Sequence, residues 1–91
     1  MTLAKIKGNV VSTQKNKHLV SHKLLIAHAI DLDGNFIGDE DMVVLDLIDA
    51  GIGDTVLVVK EGDAVQQILG HSDAPVNTMV VAIVDNINVE E

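Results

Sequence analysis

The sequence predicts a mainly β domain of about five strands and one short helix. Apolar residues make up 47% of the 91 residues but aromatic residues only 1%, so the core must be built from Val, Ile, Leu and Ala. Such β-branched residues favour strands. The apolar segments are short, and turn-forming residues separate them. A chain of this length is expected to form a single domain, residues 1–91, that buries roughly 60–65% of its unfolded surface.

The first two predicted strands flank a basic loop. Apolar positions alternate over residues 3–13 and predict a strand, with Gly8 as a bulge or tight bend. Residues 14–21 are polar and basic, which indicates an exposed loop. The apolar run Lys23–Ile30 ends at the sequence Asp-Leu-Asp-Gly-Asn (31–35), in which Asp-Gly is a strong turn signal. Together these segments predict a hairpin or meander.

Two more strands are predicted around a glycine-containing loop. Residues 36–41 prolong the connection after the turn, and residues 42–45 form a short strand. The loop 50–54 follows, with glycines at alternate positions that permit backbone angles or close approaches forbidden to other residues. It runs directly into residues 55–59, the strongest strand signal in the chain. This loop is expected to make a contact.

The last third of the chain combines one short helix with one long strand. Within residues 62–70, Val65, Ile68 and Leu69 share one helical face, so this helix is expected to dock on the sheet. Residues 78–87 predict a final strand whose central residues are apolar on both faces. Two buried faces in a small domain indicate either closure into a barrel or cover by a neighbour.

Charge and composition argue against several classes of partner. The formal net charge of -8 repels nucleic-acid phosphate, and one aromatic residue offers no platform for stacked bases. No apolar run approaches the roughly 18 residues of a membrane span, and the first residues do not resemble a signal peptide. The absence of cysteine fits a reducing cytosol. We expect a soluble intracellular protein that binds neither nucleic acid nor membrane.

One segment has part of the spacing of a calcium-binding loop. Asp31, Asp33 and Asn35 match the first three ligand positions of such a loop. Phe36 occupies the position that requires glycine, however, and Met42 the position that requires a bidentate glutamate. We therefore expect a solvated hairpin turn and no metal site.

The sequence contains no convincing catalytic, metal or cofactor pattern. Four histidines occur, namely His18, His22, His28 and His71. Their spacing matches no zinc motif, so exposed or strand-surface positions are expected. The run His-Ser-Asp at 71–73 has the letters of a hydrolase triad, but triads assemble from separated segments. The two glycines of the loop lack the Lys-Ser or Lys-Thr of a phosphate-binding loop, and the acidic run 39–41 indicates a solvated loop.

Several of these segments share their order and spacing with one known family. They are residues 4–15, Lys23-Leu24-Leu25 with the Asp31-x-Asp33-Gly34 turn, Asp46-x-x-x-Ala50-Gly51-x-Gly53-Asp54-x-Val56-Leu57, and Pro75-Val76 leading to Val81-Ala82-Ile83-Val84-Asp85. Over nearly the whole chain, the sequence resembles the EutN/CcmL family, the pentameric vertex proteins of bacterial microcompartment shells.

The resemblance implies a small closed five-stranded OB-like β-barrel with one short α-helix. It also implies a homo-pentamer that caps the vertices of a polyhedral shell in the bacterial cytoplasm, with hexameric shell proteins of the same microcompartment as partners. Such a protein is structural, with no cofactor and no enzyme activity. The alternative is an OB-like barrel that binds a small ligand or oligonucleotide, which the acidic charge and missing aromatic residues disfavour.

The resemblance further implies which residues lie at subunit contacts or near the five-fold axis. These are Ser12, Thr13, Asp49, Ala50, Gly51, Ile52, Gly53 and Asp54. The sequence departs from the family at two points. Asp49 stands where the family commonly has glycine, which adds negative charge near the axis, and Lys17-His18 replaces a more usual proline-containing loop.

Overall fold

A computed structural model describes residues 1–10, 23–60, 65 and 76–88. Within these residues the chain forms five strands: β1 (Thr2–Asn9), β2 (Lys23–Ile30), β3 (Phe36–Asp46), β4 (Thr55–Lys60) and β5 (Thr78–Ile83). They close into a barrel in the order β1-β2-β3-β5-β4. Only β3 and β5 pair in parallel, and the other four pairings are antiparallel. The predicted mainly β, closed five-stranded barrel is confirmed.

Aliphatic side chains fill the barrel and cover part of its outer wall. The larger cluster consists of Ala4, Ile6, Leu25, Ala27, Val44, Ala50, Val56, Val58 and Val80. A second cluster consists of Leu24, Leu45, Val65 and Val76. Because neighbouring strand residues point to opposite faces, Leu24 and Leu45 lie on the other side of the wall from Leu25 and Val44. As the composition predicts, neither cluster contains an aromatic ring.

The predicted helix at residues 62–70 is represented by one described residue. Val65 is fully buried in the second cluster, which agrees with its predicted core position. The other residues of that range lie outside the described part of the chain, which defines no helix, so the helix stays a prediction. Across the same described ranges, no helix combines the length and apolar character needed to cross a membrane.

Two predicted strand ends differ from the structure. β1 ends at Asn9, and residues 11–13 of the predicted strand lie outside the described residues. The shift in register between Ile6 and Gly8 confirms the predicted bulge. β5 ends at Ile83 and not at residue 87, because its partner β4 begins at Thr55, whose carbonyl accepts a last hydrogen bond from Val84.

The prediction for β3 is wrong in length. The sequence indicates a connection over residues 36–41 and a strand of four residues, whereas β3 runs for 11 residues from Phe36. The first six residues of β3 are exposed and therefore lack apolar alternation. Their pairing with β2 is also irregular, because Phe36 pairs with Ile30 but Asp41 pairs with His28. Residues 37–40 therefore lie opposite Ala29 alone, and we call them the β3 bulge.

The turn between β2 and β3 has the predicted form. Asp31 Oδ1 accepts hydrogen bonds from the backbone N–H groups of Asp33 at 2.9 Å and Asn35 at 3.0 Å. Gly34 has a φ of 88°, in the left-handed region where glycine is favoured. The Asp31 side chain thus organises a hairpin turn, as expected for the solvated-turn interpretation.

Candidate functional site

The loop that joins β3 to β4, residues 47–54, contains six of the eight predicted site residues. Asp49, Ala50, Gly51, Ile52, Gly53 and Asp54 are contiguous here, whereas Ser12 and Thr13 lie outside the described residues. The loop connects the end of β3 at Asp46 to the start of β4 at Thr55, two strands that have β5 between them in the barrel.

Asp46, the last residue of β3, shapes the first half of this loop. It is only 4% exposed. Its Oδ1 accepts a hydrogen bond from Ile48 N at 3.1 Å, and its Oδ2 accepts one from Ala50 N at 2.9 Å. One carboxylate therefore satisfies two backbone donors that have no strand partner, which is how Asp commonly initiates a turn.

Lys23, the first residue of β2, holds the same segment from the side. Its Nζ lies 3.1 Å from Asp46 Oδ2 and 3.1 Å from Asp49 Oδ1, and donates to Ala50 O at 2.7 Å. The hydrogen bonds to Asp49, and then to Asp46, raise the pKa of Lys23 above its ordinary value. This ammonium group consequently offsets the buried charge of Asp46 and fixes the backbone of the loop.

Asp49 adopts a backbone conformation that is uncommon for its type. Its φ is 61°, in the left-handed region, and it is the only non-glycine residue in the described part of the chain with positive φ. Glycine adopts this conformation without steric cost, whereas Asp does so at some cost. Glycine would therefore be the less strained residue at this position.

The second half of the loop is a tight turn attached to β1. Asp54 Oδ2 accepts a hydrogen bond from Gly51 N at 2.8 Å, and Asp54 N donates to Gly51 O at 3.0 Å. Ile6 exchanges two backbone hydrogen bonds with the turn, from Gly53 N and to Asp54 O, both at 2.9 Å. The turn therefore extends the β1–β4 ladder by two backbone hydrogen bonds.

The two glycines of the loop have different roles. Gly53 has a φ of 94°, so its backbone requires glycine. Gly51 does not have positive φ, and among the described residues an added Cβ would meet only Asp54 Oδ2, at an ordinary 3.9 Å. This part of the fold therefore has room for a small side chain at Gly51.

The exposed surface of the loop combines three aliphatic side chains with the carboxylate of Asp49. Leu47, Ile48 and Ile52 are exposed, and Ile52 is 64% accessible. Ala50 between them is fully buried in the barrel core, which anchors the loop. Three large exposed aliphatic side chains on a segment that buried groups hold in place are typical of a protein interaction surface.

A second polar cluster lies at the other end of β3, around His28. His28 is 7% exposed, so the expectation of an exposed or strand-surface histidine is wrong in burial although the residue is on a strand. Its Nδ1 lies 2.7 Å from Asp41 Oδ1, and its Nε2 lies 3.0 Å from Gly38 O. Lys7 Nζ is 3.0 Å from the same Asp41 oxygen. Because Asp41 is distant in sequence, spacing gave no sign of this contact.

The other chemical candidates contribute no assembled site. His18, His22 and the run 71–73 lie outside the described residues. In the parts of the chain that the structure covers, no group of three His, Cys, Asp or Glu side chains is arranged to hold a metal ion. The apolar loop at the end of β3 is therefore the better supported functional surface.

Comparison with known proteins matches this chain along almost its full length. The model of the family described as "Ethanolamine utilisation protein EutN/carboxysome" matches residues 1–85. The carboxysome shell vertex protein CcmL of Nostoc sp. is 40% identical over 91 residues, which cover 100% of this chain and 89% of the relative.

Solved structures agree with this match. The structure of CcmL from Nostoc sp. PCC 7120 has a TM-score of 0.81 at 41% identity, covering 99% of this chain and 93% of that one. The pentameric microcompartment shell protein GrpN from Rhodospirillum rubrum has a TM-score of 0.79 at 34% identity, covering 99% of this chain and 100% of that one.

Proposed function

The chain belongs to the EutN/CcmL family, and on this premise we propose that it is a structural shell protein of a bacterial microcompartment. Five copies form a pentamer that caps a vertex of the polyhedral shell in the bacterial cytoplasm. Its partners are the hexameric shell proteins of the same microcompartment. The observation that carries the proposal is the full-length likeness to shell vertex proteins, one of them a pentamer of known structure.

The proposed role has a geometric basis. Hexagonal tiles alone form flat sheets, and pentagons introduce the curvature that closes a polyhedron. A ring of five requires a heterologous interface, in which two different surfaces of each subunit meet and the ring closes on itself. The loop 47–54 supplies one suitable surface, since its apolar side chains are exposed while Asp46 and Lys23 hold its backbone. A preorganised loop loses little conformational freedom on assembly.

We place the proposed subunit contacts and five-fold axis at the residues that the resemblance indicates. These are Ser12, Thr13, Asp49, Ala50, Gly51, Ile52, Gly53 and Asp54. Gly51 supports this placement because the residues that the structure describes leave space at its Cα. The Asp49 side chain is 98% exposed in the single chain, so five copies near the axis would form a ring of negative charge. The whole of residues 1–91 acts as one domain in this proposal.

The proposed function is assembly and not catalysis. Burial of aliphatic surface between subunits drives ring formation. The acidic charge of the chain also speaks against nucleic acid as a partner. An oligonucleotide-binding barrel is the competing function, and tight, salt-sensitive binding of single-stranded DNA would support it.

Native mass spectrometry tests the proposal directly. We expect the wild-type protein to appear as five copies of the 9.7 kDa chain. Ile52→Ser removes an exposed apolar side chain from the loop and should shift the population from pentamer to monomer by at least about tenfold, as for a central interface residue. A stable wild-type monomer at micromolar concentration would refute the proposed assembly.

Leu32→Ser is the matched control. Leu32 is 61% exposed, close to the 64% of Ile52, but lies in the β2–β3 turn. The control variant should remain pentameric. If Ile52→Ser leaves the pentamer intact while the wild type is pentameric, the loop is not the interface, although the family function stands. Equal loss in both variants would indicate a general effect of exposed apolar side chains.

A further inference from the structure

The β3 bulge, residues 37–40, interrupts the pairing of β2 with β3. Across it the ladder passes from the pair His28–Asp41 to the pair Ile30–Phe36, so four residues face Ala29 alone. All four are exposed, so no burial in the core holds them in place. Gly38 within the bulge has a φ of 76°, a conformation that most residues avoid. Something other than the ladder must fix this segment.

The His28 ring supplies the missing cross-strand contacts. It sits on β2 beneath the bulge and reaches β3 at two points, Gly38 O through Nε2 at 3.0 Å and Asp41 Oδ1 through Nδ1 at 2.7 Å. One side chain therefore bridges the irregular segment from its interior to its end. The ring of Phe36 packs edge-on against the imidazole, with centroids 5.0 Å apart.

The chemistry of these partners determines the protonation state of the ring. A backbone carbonyl and a carboxylate are both acceptors, so both ring nitrogens must carry a proton to make both hydrogen bonds. Neutral imidazole has one N–H and would place a lone pair against an oxygen on one side. Protonation of Asp41 is no substitute, because Lys7 Nζ lies 3.0 Å from the same oxygen and favours the ionised carboxylate. The geometry is that of an imidazolium ion.

We propose that His28 is a protonation-dependent latch: as imidazolium it fixes residues 37–40 on the barrel, and loss of its proton releases them. The latch needs no ligand and no particular oligomeric state, so it goes beyond the proposed shell function. Its release changes the exposed surface of β3, where Ile37 and the acidic residues Asp39 and Glu40 are displayed.

The charged groups around the ring set the pH at which the latch opens. On β3, the hydrogen bond that His28 donates to Asp41 raises the pKa of His28 above its ordinary 6.5, and the hydrogen bond to the Gly38 carbonyl acts in the same direction, whereas burial opposes it. On β1, Lys7 lowers the pKa of His28, and Lys5 lies opposite His28 in the register. Asp39 and Glu40, in the bulge itself, are exposed acidic residues that make no hydrogen bond to the ring.

The direction of the pH effect follows from these shifts. Because the pKa of His28 is raised in the folded protein, its contribution is complete below about 6.5 and is lost as the pH rises through the folded pKa. The pKa of Asp41 is lowered, chiefly by His28 and then by Lys7, so its contribution is present above 3.8 and is lost as the pH falls through the folded pKa of Asp41. The latch is thus closed in mildly acidic solution and opens on the alkaline side.

Two measurements on the full-length, assembled protein test the latch. Imidazole ¹⁵N chemical shifts report the protons on both His28 nitrogens, and amide hydrogen exchange, corrected for its intrinsic pH dependence, reports the closure of residues 37–41. We expect His28 to be doubly protonated at pH 6.5. Protection of the bulge should fall as His28 titrates, by roughly tenfold for each unit by which the measured pKa exceeds 6.5.

Three variants separate the latch from a general effect of charge. His28→Gln should leave bulge protection low and independent of pH. Asp41→Asn should move the loss of protection to lower pH, since it removes the carboxylate whose hydrogen bond and charge raise the pKa of His28, while Lys7 remains. Asp39→Asn makes the same change in net charge nearby without touching the hydrogen bonds of His28, and should shift the midpoint much less than Asp41→Asn.

Two results would overturn the proposal. One is a His28 ring that is neutral at pH 6.5, and the other is bulge protection that stays constant while His28 loses its proton. Both are measured on the wild-type protein, so they decide the matter even if a His28 variant fails to fold.

Discussion

The two ends of β3 solve the same structural problem in opposite ways. Neither the first half of the loop, residues 47–50, nor the bulge 37–40 is fixed by a regular ladder, and one buried ionisable side chain organises each. Asp46 accepts hydrogen bonds from the loop, whereas the His28 ring lies against two acceptors in the bulge. A carboxylate is an acceptor whenever it is ionised, but a histidine is a double donor only when it is charged.

This difference makes the loop permanent and the bulge conditional. The charge that accompanies Asp46 belongs to Lys23, whose pKa is raised above 10.5 by hydrogen bonds to Asp49 and then Asp46. The loop therefore keeps its ion pair throughout the neutral range, and Lys23 would release it only as the pH rises through the raised pKa. Three exposed aliphatic side chains lie on the permanent segment together with the exposed Asp49, whereas the conditional segment carries Ile37, Asp39 and Glu40.

Asp46→Ala is expected to have the largest effect on the free energy of unfolding. It leaves the N–H groups of Ile48 and Ala50 without an acceptor and removes a buried partner of Lys23. We expect a loss of about 2–4 kcal/mol, because hydrogen bonds to a charged group contribute about 1.5–3 kcal/mol each and the loop can relax into water. Urea unfolding at one fixed protein concentration measures it.

Asp39→Ala is the control for that measurement. Asp39 is an exposed residue of the bulge, so its replacement should change the free energy of unfolding by no more than about 0.5 kcal/mol. If the two variants lose the same stability, Asp46 does not organise the loop, and the comparison between the two ends of β3 fails.

The two glycines of the loop give the next largest effect and separate folding from assembly. Gly53→Ala places a Cβ at a φ of 94° and should lower the free energy of unfolding by about 1–2 kcal/mol. Gly51→Ala meets no such strain, so a subunit should fold with unchanged or slightly raised stability.

Measured together, urea unfolding and native mass spectrometry distinguish the two roles. Gly53→Ala should lose stability through its backbone, whereas Gly51→Ala should weaken the pentamer while its subunits stay folded. The larger side chain of Gly51→Val should weaken the pentamer further. A Gly51→Val protein that forms full pentamers would show that the loop is only a turn.

The sequence predicts the barrel far better than it predicts what holds these two segments. An apolar run identifies β2 with its bounds correct, and the Asp-Gly signal identifies the turn that follows it. The exposed half of β3 lacks such a run, so it reads as a connection. Burial of a polar residue depends on partners that folding brings near, and periodicity carries no information about them.

Asp46 and His28 illustrate this limit. Asp46 begins one of the segments that carry the family resemblance, residues 46–57, yet its role depends on Lys23, 23 positions earlier in the chain. An Asp that follows three apolar strand residues and precedes a glycine turn is a usable signal for such a carboxylate. His28 offers no such signal, because its neighbours in the sequence are the apolar residues of an ordinary strand. Its partner Asp41 lies in the acidic run 39–41, for which the sequence predicts a solvated loop.

Asp49→Gly is expected to have the smallest effect and tests the backbone of the permanent segment alone. Glycine relieves the steric strain of a φ of 61°. It also removes the hydrogen bond that Lys23 donates to the Asp49 side chain, which is 98% exposed. An exposed ion pair contributes about 0–1 kcal/mol, and a left-handed residue other than glycine costs about 1–2 kcal/mol, less for Asp. We expect a gain in the free energy of unfolding of about 0.5 kcal/mol.

Two further substitutions at this position divide that small gain into its parts. Asp49→Asn keeps the tolerance for positive φ and removes only the charge, so its stability should match that of the wild type. Asp49→Ala has neither the charge of Asp nor the tolerance of Gly or Asn for positive φ. It should be less stable than Asp49→Gly by about 1 kcal/mol. If Ala and Gly are equal, backbone strain does not act at Asp49, and Lys23 with Asp46 fixes the loop unaided. The order Gly, then Asp and Asn, then Ala would instead show that the loop retains a strained residue whose charge is not needed for folding, which leaves that charge available for a role in the assembled ring.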